Sequence, residues 1–462
     1  MGFIVAIPGV ISFILASSRG IPWAFINVYI PVMLLLPDYY RWILPALPDP
    51  TFGEATILPI AILYIVRYGK EWKFSFGDVL VFGFTAAMTY SELINAGFGD
   101  AQNLLFDLLG EICFPYMLAK GLIEPKGLRV EFAKKFVMML FWICLISIYE
   151  FRFGKTPWQM FMGGFFPGQG DGWVTTFRWG FARVAGPYGH AILAGLILIV
   201  GYRVHKWLEW SNLWETKSRR FPSLPWSKAR ILTIGLLGGV IMTMVRGPWT
   251  GGFMGALLTV IGRAKNRKLA GLVVLGALLC VGVPIGVVFY QYASVGRANA
   301  KSDSQETAAY RKELLDKYIA IAEEKLVWGW GTSAWPKVDG MPSIDNYYLL
   351  LALMHGYVSL FFLMAILITM IVRLTIRGMM RPPPALRGAS LAFTLAGIHV
   401  VIFITIATVF MGGQVVPIFA LMTGWSEGYL LADKGEAVAA VAGAATVAPV
   451  STTQFRFRRV VA

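Results

Sequence analysis

Long apolar blocks recur along the whole chain, and this recurrence limits the fold more than any other feature. Of the 462 residues, 57% are hydrophobic and only 15% are charged, and the mean hydropathy is +0.63. The blocks lie at about 3–17, 22–37, 54–66, 79–95, 103–122, 134–150, 187–204, 231–245, 248–262, 269–290, 347–373, 388–411 and 414–431. The sequence therefore predicts an all-α polytopic membrane protein over residues 1–431, with about 12–13 transmembrane helices, some of them tilted, broken or half-length.

Basic residues concentrate in alternate gaps between these blocks. The net charge of +15 would suit a nucleic-acid partner, but alternation is the positive-inside pattern of membrane proteins, so no nucleic acid is expected. Basic gaps are assigned to the cytoplasm, which leaves the long loops 151–186 and 291–346 and the turn 246–248 on the periplasmic side. The segment 432–462 is biased toward Ala and Val and is predicted to be a disordered cytoplasmic tail. Twelve spans would put the N-terminus inside and thirteen would put it outside.

Cysteine and histidine are few and dispersed. The three cysteines all fall inside apolar blocks, which argues against a disulfide framework or a thiolate metal site. The four histidines are scattered and form no visible cluster. The sequence therefore predicts no metal site and no cofactor.

One full charge, Arg246, stands in the middle of the apolar run 231–262. A charge at membrane depth costs at least about 2.5–3.5 kcal/mol and is kept where it is paired, solvated or needed. The two arms of the run share only about 32 residues, short of the roughly 40 that two spans require, so the turn is predicted to be recessed. Gly247-Pro248 is expected to break the helix there. Arg246 should then face a cavity; the alternative is an arginine that snorkels to the interface.

A second cationic segment, RVAGPYGHA, precedes the block at 187–204. Its Arg183, two glycines and a proline come just before a helix start, where backbone N–H groups and an arginine suit an anion. The aromatic residues around it are typical of a bilayer interface, but that does not account for the arginine. Arg178 just upstream and His190 just downstream are further candidates for substrate contact.

The long loop 291–346 carries one helix of the soluble type. Ser302 and Gln305 form an S-x-x-Q capping box, and apolar residues follow at helical spacing with charges between them. This predicts a short amphipathic helix that lies across the periplasmic face as a lid, with Arg311 on it as a candidate for substrate binding.

A Gly-Trp-Gly turn and a polar helix start, SIDNYY, follow the lid. Asp345 has two interpretations, the N-cap of that helix or the general base of a reaction, and the two are compatible. Asn346 and Tyr347 would then orient an acceptor.

Taken in order, RVAGPYGHA, VRGPWTGG and the loop that ends in GWG and SIDNYYLLLALMHG resemble the O-antigen ligase and O-antigen polymerase superfamily of bacterial surface-polysaccharide enzymes. The resemblance covers about residues 130–430. It implies metal-independent, inverting glycosyl transfer at the periplasmic face of the bacterial inner membrane. The implied substrates are a polyprenyl-pyrophosphate-linked saccharide donor and a saccharide acceptor. Relatives bind the donor pyrophosphate with arginines that match Arg183 and Arg246.

Many relatives carry His-Asn where this chain has Asp345-Asn346, and this departure favours a polymerase of O-antigen or exopolysaccharide. The first alternative is a ligase that transfers the polysaccharide to lipid A core or another acceptor. A transporter of lipid-linked saccharides is the second, although no internal repeat is visible and the deepest charges gather near one face. A cell-wall glycan polymerase of the shape, elongation and division type fits the arginine motifs less well. Membrane lipid and polysaccharide export machinery are the other expected partners.

The predicted catalytic residues are Asp345, Arg246 and Arg183, and the predicted substrate-binding residues are Arg178, His190, Asn346, Tyr347 and Arg311.

Overall fold

The computed structural model describes residues 2–45, 47–170, 175–216, 226–341, 343–380 and 389–446, with the backbone alone for 303–304 and 433–446. Within these residues the regular secondary structure is helical apart from one hairpin, in which β1 (Phe177–Arg178) pairs antiparallel with β2 (Phe181–Ala182), and an isolated bridge between Arg41 and Thr51. The helices in chain order are α1 (Gly2–Ser18), α2 (Ile21–Leu35), α3 (Phe52–Tyr68), α4 (Phe76–Ala96), α5 (98–123), α6 (Arg129–Phe153), α7 (Pro157–Met162), α8 (Ala191–Trp210), α9 (Lys228–Thr243), α10 (Arg246–Arg263), α11 (Arg267–Ala293), α12 (Asp303–Glu324), α13 (Tyr347–Met380), α14 (Leu391–Thr405) and α15 (Val415–Thr446). Each predicted apolar block coincides with one of these helices over most of its length, which confirms the all-α class.

Seven helices in the described part of the chain are long and apolar enough to cross a membrane: α3, α4, α6, α8, α11, α13 and Val415–Ala432 of α15. Helices α1, α2 and α14 are apolar but shorter, between 10 and 17 residues. The protein is therefore a polytopic α-helical membrane protein with several short helices, as the block lengths predicted. The total of about 12–13 crossings stays a prediction.

Burial divides the long helices into a centre and a periphery. In the most apolar window of α8, 78% of residues are buried, and in that of α15 the share is 89%, whereas in α11 it is 0%. Helices α8 and α15 therefore form the middle of the bundle. Helix α11 is the most apolar of the set, and its most apolar window is exposed on the surface of the described chain.

Helices α10 and α14 touch backbone to backbone. A Cβ atom at Gly255 would lie 2.5 Å from the carbonyl oxygen of Gly397, and one at Gly397 would lie 2.7 Å from the carbonyl oxygen of Gly255. Only glycine permits this approach on both helices. The contact fixes the position of α10, and with it the arginine at its first residue.

Helix α13 is broken at Gly356, whose φ of 73° belongs to the left-handed region. The Gly-Trp-Gly turn packs into the break: the N–H of Trp330 donates to Leu353 O and the N–H of Gly331 donates to Met354 O, both at 2.8 Å. A Cβ at Gly356 would lie 2.1 Å from the carbonyl oxygen of Val327. A half-helix, 347–355, thus stands apart from the longer segment that follows it.

Helix α12 has the predicted cap and the predicted apolar face. Ser302 Oγ accepts a hydrogen bond from the N–H of Gln305 at 3.3 Å. Leu314 and Tyr318 are buried and pack against the start of α13 and the residues before it. The amphipathic helix of the long loop is therefore confirmed.

The turn between α9 and α10 corrects one prediction. The chain leaves helical geometry at Met244, with a φ of 48°, and at Val245, whereas Gly247 and Pro248 lie inside the first turn of α10. A proline in the first turn costs no hydrogen bond, because N–H groups there have no partner within the helix. The break is therefore three residues earlier than expected.

Helix α15 continues through 432–446, and residues 447–462 lie outside the described residues. The disordered cytoplasmic tail over 432–462 stays a prediction. The helical part contains the alanine-rich stretch EAVAAVAGAA, and alanine has the highest intrinsic helix propensity.

Candidate functional site

A cavity of about 610 Å³ lies at the end of the bundle where the long loops gather, and its size is that of a site for a small ligand. Its wall is formed by the β1–β2 hairpin, the start of α8, the turn before α10, helix α12 and the residues before α13. Six of the eight predicted site residues line it: Arg178, Arg183, His190, Arg246, Arg311 and Asp345. The structure therefore brings together residues that lie up to 167 positions apart in the sequence.

The segment that carries Arg183 is held in place by Glu150, near the end of α6. The Oε1 atom of Glu150 accepts a hydrogen bond from the N–H of Ala185, and Oε2 accepts one from the N–H of Gly186, both at 2.9 Å. Glu150 is fully buried. Sequence reasoning missed this residue, although an acidic side chain at the end of the apolar block 134–150 was a signal that could have found it.

The guanidinium of Arg183 is only partly satisfied by the protein. One of its terminal nitrogens donates to Thr176 Oγ1 at 3.4 Å, while the buried Nε has no hydrogen-bond partner among the described residues. Burial and the neighbouring Arg178 lower the pKa of Arg183. An anion bound in the cavity would satisfy the donor and relieve the repulsion between the two arginines.

Arg178 and its hairpin connect the Arg183 segment to the turn before α10. The guanidinium of Arg178 donates to the carbonyl oxygen of Met244 at 2.7 Å, and the N–H of Val184 donates to Met242 O at 3.2 Å. These two bonds keep the Arg183 segment next to the turn that carries Arg246.

Arg246 is the first residue of α10 and is exposed. Its guanidinium makes no hydrogen bond or ion pair among the described residues, and the N-cap residue Val245 offers no side-chain cap. The first-turn N–H groups and the positive end of the helix therefore add to the charge of the arginine. Arg311, on the cavity side of α12, is likewise exposed and makes no ion pair within the described chain.

Asp345 is the acidic residue of the cavity wall, and it does not cap α13. The Oδ1 atom of Asn346 accepts a hydrogen bond from the N–H of Leu349 at 3.2 Å, so Asn346 is the cap. The carboxylate of Asp345 accepts a bond from Ser343 Oγ at 2.8 Å. The prediction that Asp345 caps the helix is wrong by one residue, because α13 begins directly after Asn346.

His190 is the N-cap of α8. Its Nδ1 accepts a hydrogen bond from the N–H of Ile192 at 3.1 Å, which places the ring proton on Nε2. Burial and Arg183 lower the pKa of His190 to about 4, against the opposite effect of Asp345. At neutral pH the ring is therefore a neutral hydrogen-bond donor that also holds the start of a helix.

Asn346 and Tyr347 do not line the cavity. Asn346 caps the helix, and Tyr347 packs against the core with its N–H bonded to Ile406 O at 2.9 Å. The wall instead includes residues that sequence reasoning did not single out, among them Thr250, Phe289 and Thr408. Thr250 could have been found, because it lies four residues after Arg246 on the same helix face.

The charges of the cavity wall are four arginines and one aspartate, so the cavity favours an anionic ligand. Among the described residues, no group of three or more His, Cys, Asp or Glu side chains could hold a metal ion. Arginine donors are consequently the groups available on this wall to neutralise a bound phosphate.

Comparison with known proteins gives one family. Residues 231–364 match the family model described as O-Antigen ligase, a range that contains the Arg246 turn, α11, α12, the Gly-Trp-Gly turn and the start of α13. No curated protein matches the chain. The match supports, broadly, an enzyme of the O-antigen ligase and polymerase type, which acts on a lipid-linked saccharide and an acceptor. It confirms for this segment the resemblance of the chain to the O-antigen ligase and O-antigen polymerase superfamily.

Proposed function

We propose that this protein is a glycosyltransferase that polymerises a lipid-linked saccharide, O-antigen or exopolysaccharide, at the periplasmic face of the bacterial inner membrane. The donor is a polyprenyl-pyrophosphate-linked saccharide, and the acceptor is a sugar hydroxyl. The observation that carries the proposal is the meeting of four arginines and one aspartate around a single cavity of about 610 Å³.

The pyrophosphate of the donor binds to Arg183 and Arg246, which line the same cavity, and Arg183 Nε has no hydrogen-bond partner among the described residues. Arg311 approaches from α12, and the first-turn N–H groups of α10 supply further donors. When the bond between the sugar C1 and the pyrophosphate oxygen breaks, negative charge accumulates on the leaving group. Arginines already in place stabilise that charge without reorganisation, and no metal ion is required for this step.

Asp345 acts as the general base in this scheme. The acceptor hydroxyl attacks C1, the new C1–O bond forms as the C1–pyrophosphate bond breaks, and the hydroxyl proton passes to the carboxylate of Asp345. Polyprenyl pyrophosphate leaves as the anion. Attack from the side opposite the leaving group inverts the configuration at C1, which requires Asp345 and the arginines to flank the sugar. His190 donates a hydrogen bond from Nε2 to an oxygen of either substrate.

Reconstitution tests the proposal. The purified protein in liposomes receives a lipid-linked repeat unit, and the products are separated on a gel. A ladder of longer lipid-linked chains, with release of polyprenyl pyrophosphate and an inverted linkage by NMR, is expected. Transfer that occurs only after lipid A core is added would instead establish the ligase, and transport of intact donor without new linkages would establish the transporter.

Labelling of single cysteines tests the orientation. Cysteines replace Glu306 on α12 and Lys70 at the opposite end of the bundle, in a background without the three native cysteines. An impermeant reagent that reaches the periplasm should label the first and spare the second. The reverse pattern would place the arginine cavity in the cytoplasm and would contradict the proposed site of action.

A further inference from the structure

A second cavity, of about 670 Å³, lies between the ends of α3 and α5, the loop from α3 to α4, and one side of α15. Helix α6 separates it from the arginine cavity. Glu150, near the end of α6, holds the Arg183 segment, whereas Arg129 at the start of α6 pairs with Glu124, next to Pro125 of this cavity. The helix between Arg129 and Glu150 is roughly 30 Å long. We call the second site the lysine cavity; its main lining residues are Tyr64, Tyr68, Lys70, Trp72, Lys73 and Lys120.

The loop between α3 and α4, which forms one wall of the lysine cavity, is held in place by the buried Lys120. The ammonium of Lys120 pairs with the carboxylate of Asp78 at 2.6 Å. It also donates to the carbonyl oxygen of Lys73 at 2.9 Å and to Ser75 Oγ at 3.0 Å, and it lies 4.1 Å from the ring centre of Trp72. All three donors of Lys120 are therefore used within the protein, and they fix the backbone that carries the other two lysines.

Lys70 and Lys73 are the lysines of this cavity that remain available to a ligand. Both are exposed, and neither pairs with an acidic side chain in the part of the chain that the structure describes. Glu71, the acid of the described cavity wall, pairs with Lys126 at 3.4 Å. The acids just behind the wall are also paired: Glu124 with Arg129 and Glu427 with Arg373.

The charge balance around the lysine cavity favours an anion. Among the described residues, five basic side chains on the loop and the adjoining helix ends face two acidic ones: Arg67, Lys70, Lys73, Lys120 and Lys126 against Glu71 and Asp78. The helix dipoles do not reverse this excess, because α3 and α5 end at this level while α4 and α6 begin there. The cavity therefore has a positive potential.

The opposite side of the lysine cavity continues into an apolar surface. Helix α3 is long and apolar enough to cross a membrane, and its Tyr64 and Tyr68 line the cavity. Between these two tyrosines, Ile65 and Val66 are 50% and 76% exposed, and Phe74, directly after Lys73, is exposed as well. A ligand here meets ammonium groups on one side and the apolar surface of a membrane helix on the other. This combination suits a phosphate attached to acyl chains.

The chain's own C-terminal segment is a poor occupant for this cavity, although α15 lines it with Gly428, Leu431 and Ala432. Residues 437–462 contain three arginines and no acidic residue. Their charge has the same sign as that of the cavity, so the cavity should repel them.

We propose that the lysine cavity binds the headgroup of an anionic phospholipid, with the phosphate at Lys70 and Lys73 and the acyl chains along α3. Basic pockets between membrane helices recognise acidic lipid headgroups in this way, and lysines bind a phosphate as point charges. The lipid joins α3 and α5 to α15 at the end of the bundle opposite the arginine cavity. The proposal does not depend on the glycosyl-transfer reaction.

Thermal unfolding of the full-length protein in detergent tests the proposal without any saccharide substrate. Phosphatidylglycerol is compared with phosphatidylethanolamine of the same acyl chains, and the anionic lipid should raise the unfolding temperature at lower concentrations. In the double variant Lys70→Gln with Lys73→Gln, the phosphatidylglycerol concentration for half the effect should rise about tenfold or more.

The double variant Lys265→Gln with Lys268→Gln is the matched control. These two lysines are also exposed, lie in another basic loop and do not line the cavity. The control removes the same charge, so it should respond to phosphatidylglycerol like the unsubstituted protein.

Glycerol 1-phosphate separates a lipid from a soluble phosphate ester. It carries the phosphate without acyl chains, so at millimolar concentration it should not displace phosphatidylglycerol. Displacement at that concentration would overturn the lipid assignment.

Photo-crosslinking of the unsubstituted protein needs no variant. Phosphatidylglycerol with a photoreactive headgroup should label peptides that contain residues 64–75 or 119–126, as identified by mass spectrometry. Labelling confined to other parts of the chain would overturn the proposal. So would equal stabilisation by the two lipids, or an unchanged response of the variant that lacks Lys70 and Lys73.

Discussion

The side chain of Asn346 caps helix α13, and its neighbour Asp345 is left to line the arginine cavity. Asn346 accepts the N–H of Leu349 at 3.2 Å, whereas Asp345 accepts only the hydroxyl of Ser343 at 2.8 Å among the described residues. Asn346 thus has the structural role, and the adjacent Asp345 has the proposed chemical role. The two roles can be removed separately.

Asp345→Asn should abolish polymer formation while the protein stays folded, because the amide cannot accept a proton at neutral pH. Asp345→Ala should do the same, since the cap belongs to Asn346. Asn346→Ala is the complement: it should lower the free energy of unfolding by about 1 kcal/mol and leave measurable activity. Chain length on a gel and unfolding temperature in detergent report the two effects. Normal chains from Asp345→Asn would remove Asp345 from the mechanism.

Arg183→Lys and Arg246→Lys should each reduce the transfer rate by about tenfold or more, because an ammonium group retains the charge but not the planar set of donors. Arg297→Lys is the matched control. It lies in the same long loop as Arg311, pairs with Glu306 and does not line the cavity. Initial rates with a lipid-linked donor in liposomes measure the effect. Equal rates for all three variants would exclude a specific contact between arginine and pyrophosphate.

Glu150→Ala should weaken donor binding although Glu150 does not line the cavity. The N–H groups of Ala185 and Gly186 would lose their acceptor, and these two residues lie next to Arg183. Bonds to a charged group are worth about 1.5–3 kcal/mol each, so the dissociation constant for polyprenyl pyrophosphate should rise at least about tenfold. Glu150→Gln retains one acceptor oxygen, so its dissociation constant should lie between those of the unsubstituted protein and Glu150→Ala. Glu131→Gln, at the exposed opposite end of α6, should bind like the unsubstituted protein. A Glu150→Ala variant with unchanged affinity but lower unfolding temperature would make Glu150 purely structural.

In His190→Asn, the free energy of unfolding should fall less steeply as the pH is lowered. The folded pKa of His190 is about 4 and its ordinary value is 6.5, so between these values the unfolded chain binds the proton and the folded chain does not. Stability from this group is therefore present above pH 6.5 and is lost as the pH falls toward 4. Asparagine keeps the cap of α8 without titrating. Unfolding temperatures of both proteins should be similar near pH 7 and should diverge as the pH falls toward 4, where the asparagine variant should be the more stable; parallel curves would contradict the shifted pKa.

Local patterns in the sequence were sufficient for the helices and for much of the arginine cavity. Apolar blocks became helices, and the S-x-x-Q motif capped α12, because both depend on residues close in the chain. The arginines met because glycine-rich turns and helix starts put them at one end of the bundle. The cap of α13 was assigned one residue too early, since Asp and Asn are nearly equivalent in that position.

What the sequence could not provide were the partners of buried polar groups from distant elements. Glu150 and Glu54 each stand alone in an apolar stretch, and only the fold shows that one holds the Arg183 segment and the other faces Gln414, which lies 360 positions later. An acidic residue inside an apolar block indicates a functional or structural role. Which role it has depends on contacts with distant residues, and the local sequence pattern does not reveal these contacts.

The docking of the Gly-Trp-Gly turn has a consequence for biogenesis. Ser91 donates to the carbonyl oxygen of Trp328, 237 residues later, and Glu92 accepts from Thr332, 240 residues later. The half-helix 347–355 begins directly after Asn346 and rests on this turn. It can therefore reach its final position only after most of the chain has been synthesised, long after α4. A nascent chain that stops before the turn contains Arg183 and Arg246 but not Asp345, so under the proposed mechanism it lacks the general base.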